Sequence, residues 1–299
     1  MARFLGGIFG NTVPSTAFTQ EIGGVYNLNG NYYIKREGGW EPATLMEASG
    51  GTTATYTDPT GEWKSHTFTS SGSFVVTVAP GDPSLDADFL VQGGGGGSKT
   101  SHPGNRQAGS GAGGLLYGPA GTLSATTYPI TIGGGGSGGN GGDSTFGGVG
   151  PAGQTAIGGG AGGAGDPEPD SNGAPGGCGG GGWWSPGDGG TGTQPSPGLT
   201  GITVGKGDGA PGNPSPEYGG CGGGTGGPAP GQGLNNGPGT SLTYRYGPTN
   251  AQTYGAGGKA SDYPSTPRNA NGGANTGDGA SGYATGGPGI VVIRYKTSV

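Results

Sequence analysis

The sequence is poor in what an ordinary globular domain uses most. Of its 299 residues, 28% are hydrophobic and 10% charged, against roughly 45–50% and 25% in typical domains. So little Leu, Ile and Val excludes a large core of α/β type. No run approaches the ~20 apolar residues that span a bilayer as a helix. Lys and Arg number only 12, without a basic block, and the net charge is −6. That disfavours nucleic acid as a partner, because such affinity comes mainly from cations neutralising phosphates. It equally disfavours polybasic attachment to a membrane surface. The same shortage of charge argues against a conventional disordered chain, which resists collapse through high net charge.

The chemistry-bearing residues are also sparse. The two cysteines, Cys178 and Cys221, sit in near-identical Gly-Gly-Cys-Gly-Gly settings. Two readings stay open for them: small apolar residues buried among glycine segments, or a disulfide joining the two. With only two scattered histidines they do not make a zinc site, so neither a metal nor a cofactor is expected. His66 lies in an alternating segment and His102 beside Pro103, with no Gly-x-Ser-x-Gly elbow between a strand and a helix. Phe89-Leu-Val-Gln-Gly93 through Thr100 nearly matches a phosphate-binding loop, but no helix follows to present its amides. Asp166, Glu168 and Asp170 are held extended by prolines, as in a solvated turn, and lack the twelve-residue calcium pattern. The expectation is a protein that is not an enzyme. The start, Met1 to Gly10, has one basic residue and an apolar stretch broken by Gly6 and Gly7. It lacks a secretory h-region, so folding in the cytosol of the producing cell is expected.

What the chain has is glycine, 83 residues of it. Each costs about 1 kcal/mol against Ala in a helix interior, so a helix bundle is excluded. The glycine is unevenly placed. Residues 1–45 are mixed, and Val25 to Lys35 alternates around the Asn29-Gly30 turn, which predicts a small hairpin. Residues 46–92 read as antiparallel β structure, with strands over Trp63–Thr69, Phe74–Val78 and Ala87–Gln92. Residues 93–289 are the glycine zone. Then comes Ile290-Val-Val-Ile-Arg-Tyr295, the strongest strand signal in the chain. So apolar a run needs partners on both faces, and Phe89–Val91 is its natural neighbour. The glycine zone then becomes an excursion between two strands of one sheet.

That zone is not a plain linker, because Leu115, Leu116, Tyr117, Ile130, Ile132, Phe146, Ile157 and Ile202 recur between its glycine runs. Collagen fails, since glycine does not keep to every third position around Gly176–Gly182. Polyglycine II remains: three residues per turn and about 3.1 Å rise per residue, with threads close enough to bond backbone to backbone. The residues therefore read as all-β with almost no α-helix, antiparallel strands together with polyglycine II helices. The chain divides into an N-terminal segment, 1–45, and a glycine-rich β/polyglycine II domain, 46–299. Tyr and Trp give large contact area at low entropic cost. Trp183, Trp184, Tyr218, Tyr244, Tyr246, Tyr254 and Tyr263, in irregular stretches, are accordingly the candidates for contacts with a partner; for Trp183-Trp184 the competing reading is a cap on the glycine lattice.

An ordered series carries a resemblance. Phe-Leu-Val-Gln with five glycines, Gly-Ala-Gly-Gly-Leu-Leu-Tyr, Ile-Thr-Ile with four glycines, Gly-Gly-Asp143-Ser-Thr-Phe146-Gly-Gly and a closing Gly-Gly-Pro-Gly-Ile-Val-Val-Ile-Arg-Tyr together resemble the glycine-rich domain of bacteriophage tail fibres and adhesins over about residues 63–295. The resemblance implies an antiparallel β-sandwich merged with a bundle of polyglycine II helices, in a virion protein, assembled in the host cytoplasm, that binds a bacterial surface glycan or outer-membrane protein through loops between glycine helices. Those loops would be 166–175, 183–200, 208–217 and 235–270. It further implies that residues 1–45 attach to other virion proteins, with Phe4, Leu5, Ile8 and Phe9 as apolar anchors. A homotrimer follows by analogy with fibres, although no heptads enforce one. The alternative is a capsid-bound fibre or decoration protein with a purely structural role.

Overall fold

Two antiparallel sheets form where the chain has side chains to alternate, and a lattice of bare backbone forms where it does not. The computed structural model describes residues 25–28, 31–36, 39–42, 44–81, 85–99, 107–150, 153–165, 171–184, 187–214, 217–231, 235–261 and 269–298. Among these there is no α-helix. The expected hairpin strands pair as β1 (Val25–Leu28) and β2 (Asn31–Arg36), with β3 (Gly39–Pro42) added as a third strand; Asn29 and Gly30 lie outside the described residues. This small sheet shares no strand with the others.

The first sandwich sheet contains β4 (Glu47–Ser49), β7 (Gly72–Val78), β10 (Thr127–Thr131), β11 (Ser144–Phe146) and β12 (Gln154–Ala156), in the order β12-β11-β10-β7-β4. The second contains β5 (Thr52–Asp58), β6 (Gly61–Phe68), β8 (Ala87–Gln92), β9 (Leu115–Gly121), β13 (Thr203–Gly205) and β18 (Ile290–Lys296), in the order β13-β9-β8-β18-β6-β5. As expected, the closing strand β18 lies beside β8, with Val291 opposite Val91 and Ile293 opposite Phe89. Residues 93–289 thus run between two neighbouring strands of one sheet, and on the way they also supply β9 and β13 to that sheet and β10, β11 and β12 to the other.

Between the sheets lies a core of Phe74, Tyr128, Ile130 and Phe146 from one side and Phe89, Val91, Leu116, Val291 and Ile293 from the other. Phe146 sits at its centre, edge-on to Phe74, Phe89 and Tyr128 at centroid distances of 6.2, 6.0 and 5.7 Å. The far face of the second sheet is covered too. Leu90, Leu115, Ile290 and Val292 pack there under Tyr254, which belongs to a hairpin of β16 (Thr240–Leu242) and β17 (Gln252–Tyr254). Two faces to cover explain why β18 is apolar at consecutive positions.

One buried group makes the sandwich sensitive to acid. His66 on β6 faces the core, its Nδ1 donating to the Gly50 carbonyl at 2.7 Å and its Nε2 3.3 Å from the Tyr295 hydroxyl. Burial lowers its pKa below 6.5, although the Gly50 carbonyl opposes the shift. The unfolded imidazole therefore binds protons first as the pH falls. Stability from neutral His66 is complete above about pH 6.5 and declines as the pH drops through that value toward the folded pKa. We expect the stability advantage of the wild type over His66→Gln to shrink between about pH 7 and pH 5. Parallel pH profiles for the two proteins, by thermal unfolding, would refute this.

At Gln92 the pattern changes period. In β8, backbone groups alternate between two neighbours, β9 and β18. Beyond it both registers continue: Gly93 and Gly96 donate to Gly114 and Gly111, and Gly95 donates to Gly287. A third neighbour now enters, with Gly94 and Gly97 donating to Gly142 and Gly139, on the segment that leads into β11 of the opposite sheet. Without side chains, nothing fills the ~10 Å between facing sheets, so the backbones close until they bond across the gap. A hydrogen-bond direction that recurs every third residue is the mark of polyglycine II geometry.

The thread 107–114 is the centre of this lattice. Ala108, Gly111 and Gly114 donate to Gly163, Gly160 and Ile157; Gly109 and Ala112 to Gly220 and Gly223; Ser110 and Gly113 to Ala280 and Gly277. Three more threads donate to it, from Gly93 and Gly96, from Cys178 and Gly181, and from Gly258. Six neighbours surround one chain, every N–H group from Ala108 to Gly114 is paired, and no side chain larger than Ser occurs there. A Cβ on Gly111 would overlap the Cys178 carbonyl, and one on Gly109 the Gly258 carbonyl. At the rim, where no further thread is available, side chains replace carbonyls. Asp143 and Asn140 accept from the Gly158 and Ala161 N–H groups, Asp208 from Gly192, and Asp278 from Ala256.

The lattice register also decides between the two cysteine readings. Both residues are buried and no disulfide joins them. Their threads are antiparallel neighbours, Gly220 donating to Gly182 and Gly223 to Gly179. That register sets Cys221 beside Gly181, one full turn of about 9 Å from Cys178, beyond the roughly 7 Å limit for bridged Cα atoms. The Cys178 thiol instead points at the Gly113 carbonyl at 3.7 Å, and burial pushes its pKa up to about 12.

Candidate binding surface at the far end of the lattice

The threads run out from the strand ends, so the lattice has a sandwich end and a far end. Residues flanking the segments 100–106, 166–170, 185–186, 215–216 and 262–268 converge at the far end. Gln107 bridges to Ala164, its side-chain amide donates to Lys99 O at 2.7 Å, and its carbonyl accepts from Ser261 N at 3.0 Å. Trp183 N donates to Ser171 O, Gly212 N to Gly187 O, and Gly109 N to Gly220 O. Asn213 pairs with Tyr218 in a short ladder of β14 (Asn213–Pro214) and β15 (Glu217–Tyr218). The flanks of all five segments thus meet at one end of the lattice.

The aromatic candidates separate into two groups on this frame. Trp183, Trp184 and Tyr218 belong to the far end. Trp183 is 2% exposed and its ring lies against Gly219. It caps the lattice and cannot touch a partner, which corrects its candidacy. Trp184 is half-exposed, and its backbone is forced to φ +51°. That is a strained conformation for so bulky a residue. Its indole Nε1 is enclosed without a hydrogen-bond partner. Tyr263, the anchors Phe4, Leu5, Ile8 and Phe9, and the acidic turn at Asp166 to Asp170 lie outside the described residues.

The second group sits at the sandwich, on the outer face of the second sheet. Tyr254 is 1% exposed beneath its hairpin, and burial pushes its pKa up to about 12. Tyr244 is clamped: the Arg294 guanidinium lies 3.9 Å from its ring centroid and 4.5 Å from that of Trp63. The guanidinium donates from Nε and Nη2 to Asp88 at 3.0 and 2.8 Å and from Nη1 to the Tyr56 hydroxyl at 3.1 Å. Burial disfavours this charge, but Asp88 and then Tyr56 outweigh it and raise the Arg294 pKa. Burial likewise pushes Tyr244 up to about 12. Tyr244 and Tyr254 are therefore corrected from contact residues to packing residues. Only Tyr246 of this group is exposed, at 39%, with Arg245 stacked 4.8 Å from its ring centroid.

The loop boundaries change accordingly. Within 183–200, residues 187–193 are lattice thread, with Gly190 donating to Gly180. Within 208–217, residues 208–212 are thread as well, and 235–270 contains the β16–β17 hairpin. The Arg294 clamp had one visible signal, an arginine in an otherwise apolar terminal strand. Among the described residues no cluster of three or more His, Cys, Asp or Glu could hold a metal ion. A family model for a glycine-rich domain matches residues 68–296. No curated protein matches the chain.

Proposed function

This chain belongs to the glycine-rich domain family, and on that premise we propose that it is a bacteriophage virion protein, a tail-fibre or adhesin component that binds the host cell surface. The observation that carries the reading is the convergence of five connections on one end of a lattice whose own atoms are occupied in holding it together. Such a frame brings the flanks of several segments together at one end without side chains of its own in the contact. Half-exposed Trp184 supplies an aromatic anchor there, and Tyr218, on β15, belongs to the same end. The partner is a bacterial surface glycan or outer-membrane protein. Several copies on one particle would let weak sites act together through effective concentration. Residues 1–45 attach the chain to other virion proteins.

The test is adsorption of purified full-length chain to a panel of bacterial strains. Binding to a defined subset is expected. Trp184→Ala should weaken it by at least about 2 kcal/mol, roughly thirty-fold in Kd, with unfolding temperature little changed, because Ala keeps a Cβ at the same positive φ. Absence of adsorption to every strain, with the chain located on the capsid shell by electron microscopy, would replace this reading with the structural decoration role.

A further inference from the structure

The two sandwich sheets have four edges, and three of them are closed. β4 is three residues long and carries a bulge between Glu47 and Ala48. β12 is three residues long, and Gln194 occupies its margin, accepting from Ile157 N at 2.7 Å and donating to Thr155 O at 3.0 Å. β13 is also three residues long. Short strands, bulges and covering groups are how edges are protected from pairing with another chain.

β5 has none of these protections. It runs seven residues, Thr-Thr-Ala-Thr-Tyr-Thr-Asp, in unbroken register with β6. It contains no Lys, Pro or bulge, and no charge before Asp58. Among the described residues no strand pairs with its outer edge. The remaining question is what pairs with it. In a chain of net charge −6, two copies repel over most of their surface, and this neutral strip is where they can approach. The strip is also self-complementary. In an antiparallel pairing about a two-fold axis at Thr55, Thr55 faces itself, Thr53 faces Thr57, Ala54 faces Tyr56 and Thr52 faces Asp58. Hydroxyl residues meet hydroxyl residues, which favours pairing, and like charges are nowhere opposed. Tyr56 is already fixed by its bond to Arg294 at 3.1 Å, so pairing would cost little side-chain freedom there.

We propose that β5 is the interface of a two-fold dimer, in which the six-stranded sheets of two copies join edge to edge into one twelve-stranded sheet. An isologous contact of this kind closes on itself and stops at two copies. The proposal does not depend on the host-binding reading.

Light scattering and native mass spectrometry of the full chain test it. The wild type should show twice the chain mass. Thr55→Lys and Thr55→Glu should each shift to the monomer mass, because like charges then face each other across the axis, with circular dichroism unchanged. An equimolar mixture of the two variants should regain the dimer mass, as opposite charges now meet. Thr57→Lys, which faces Thr53 rather than itself, should remain a dimer and serves as a second folded variant. A monomeric wild type would overturn the proposal. So would a trimer, a dimer that survives both position-55 substitutions, or a mixture that stays monomeric.

Discussion

Gly111→Ala should destabilise the fold severely, although it adds a single methyl group. Gly111 sits at the middle of the central thread, donating to Gly160 at 2.8 Å and accepting from Gly96 at 2.9 Å. The new Cβ would land on the Cys178 carbonyl, which is backbone and itself accepts from Gly160 N. Relief requires two threads to part, and both are tied to further threads. Overpacking in ordinary cores costs typically ~1–3 kcal/mol because side chains can shift; here no side chain is present to give way, so a loss of at least about 3 kcal/mol is expected. Gly198→Ala is the matched control. Its Cβ would meet nothing within 4 Å, and its φ lies outside the left-handed region. That change should be neutral or stabilise by about 0.4–1 kcal/mol through the unfolded chain. Chemical denaturation of both variants decides the matter: equal midpoints would show that glycine here is compositional habit rather than a steric requirement.

Phe89→Ala should remove about 4 kcal/mol and lower the unfolding temperature by about 10 °C. Phe89 is fully buried, edge-on to Phe146 at 6.0 Å, and paired with Ile293 on β18. The more telling readout is elsewhere. β8 passes without interruption into the thread 93–97, and the registers of β9 and β18 continue alongside it. Loosening the sandwich at Phe89 should therefore accelerate amide exchange at Gly94–Gly97, which touch no mutated atom. If exchange there stays at the wild-type rate while the sandwich amides speed up, sandwich and lattice are separate folding units.

The sandwich strands were legible because their side chains alternate. Phe89–Val91 and Ile290–Tyr295 could be matched across about 200 residues of sequence, since each carries apolar side chains on both faces. The Thr-rich β5 gave a weaker signal, being exposed at alternate positions, and the β16–β17 hairpin was hidden in a stretch rich in Asn, Thr and Pro. The lattice was legible as a class and opaque in its wiring. Apolar pattern sets strand register, but glycine offers no pattern, so nothing in Gly93–Gly97 says which three threads it will meet. Cys178 and Cys221 show the consequence: they lie on adjacent threads, and only the register reveals that they stand one turn apart. The tyrosines divided for a related reason. Tyr244 and Tyr246 lie two residues apart, and the partner that buries the first, Arg294, is supplied by the last strand of the chain.

A thread that addresses a new neighbour at each of three successive residues can change length only in whole pitches. One or two extra residues in 107–114 would rotate every later amide toward the wrong partner, whereas three would restore the pattern about 9 Å farther out. Extended in step, neighbouring threads would form a taller column bearing the same summit. The molecule thus contains a ruler graduated in threes, by which reach could evolve independently of what the summit holds.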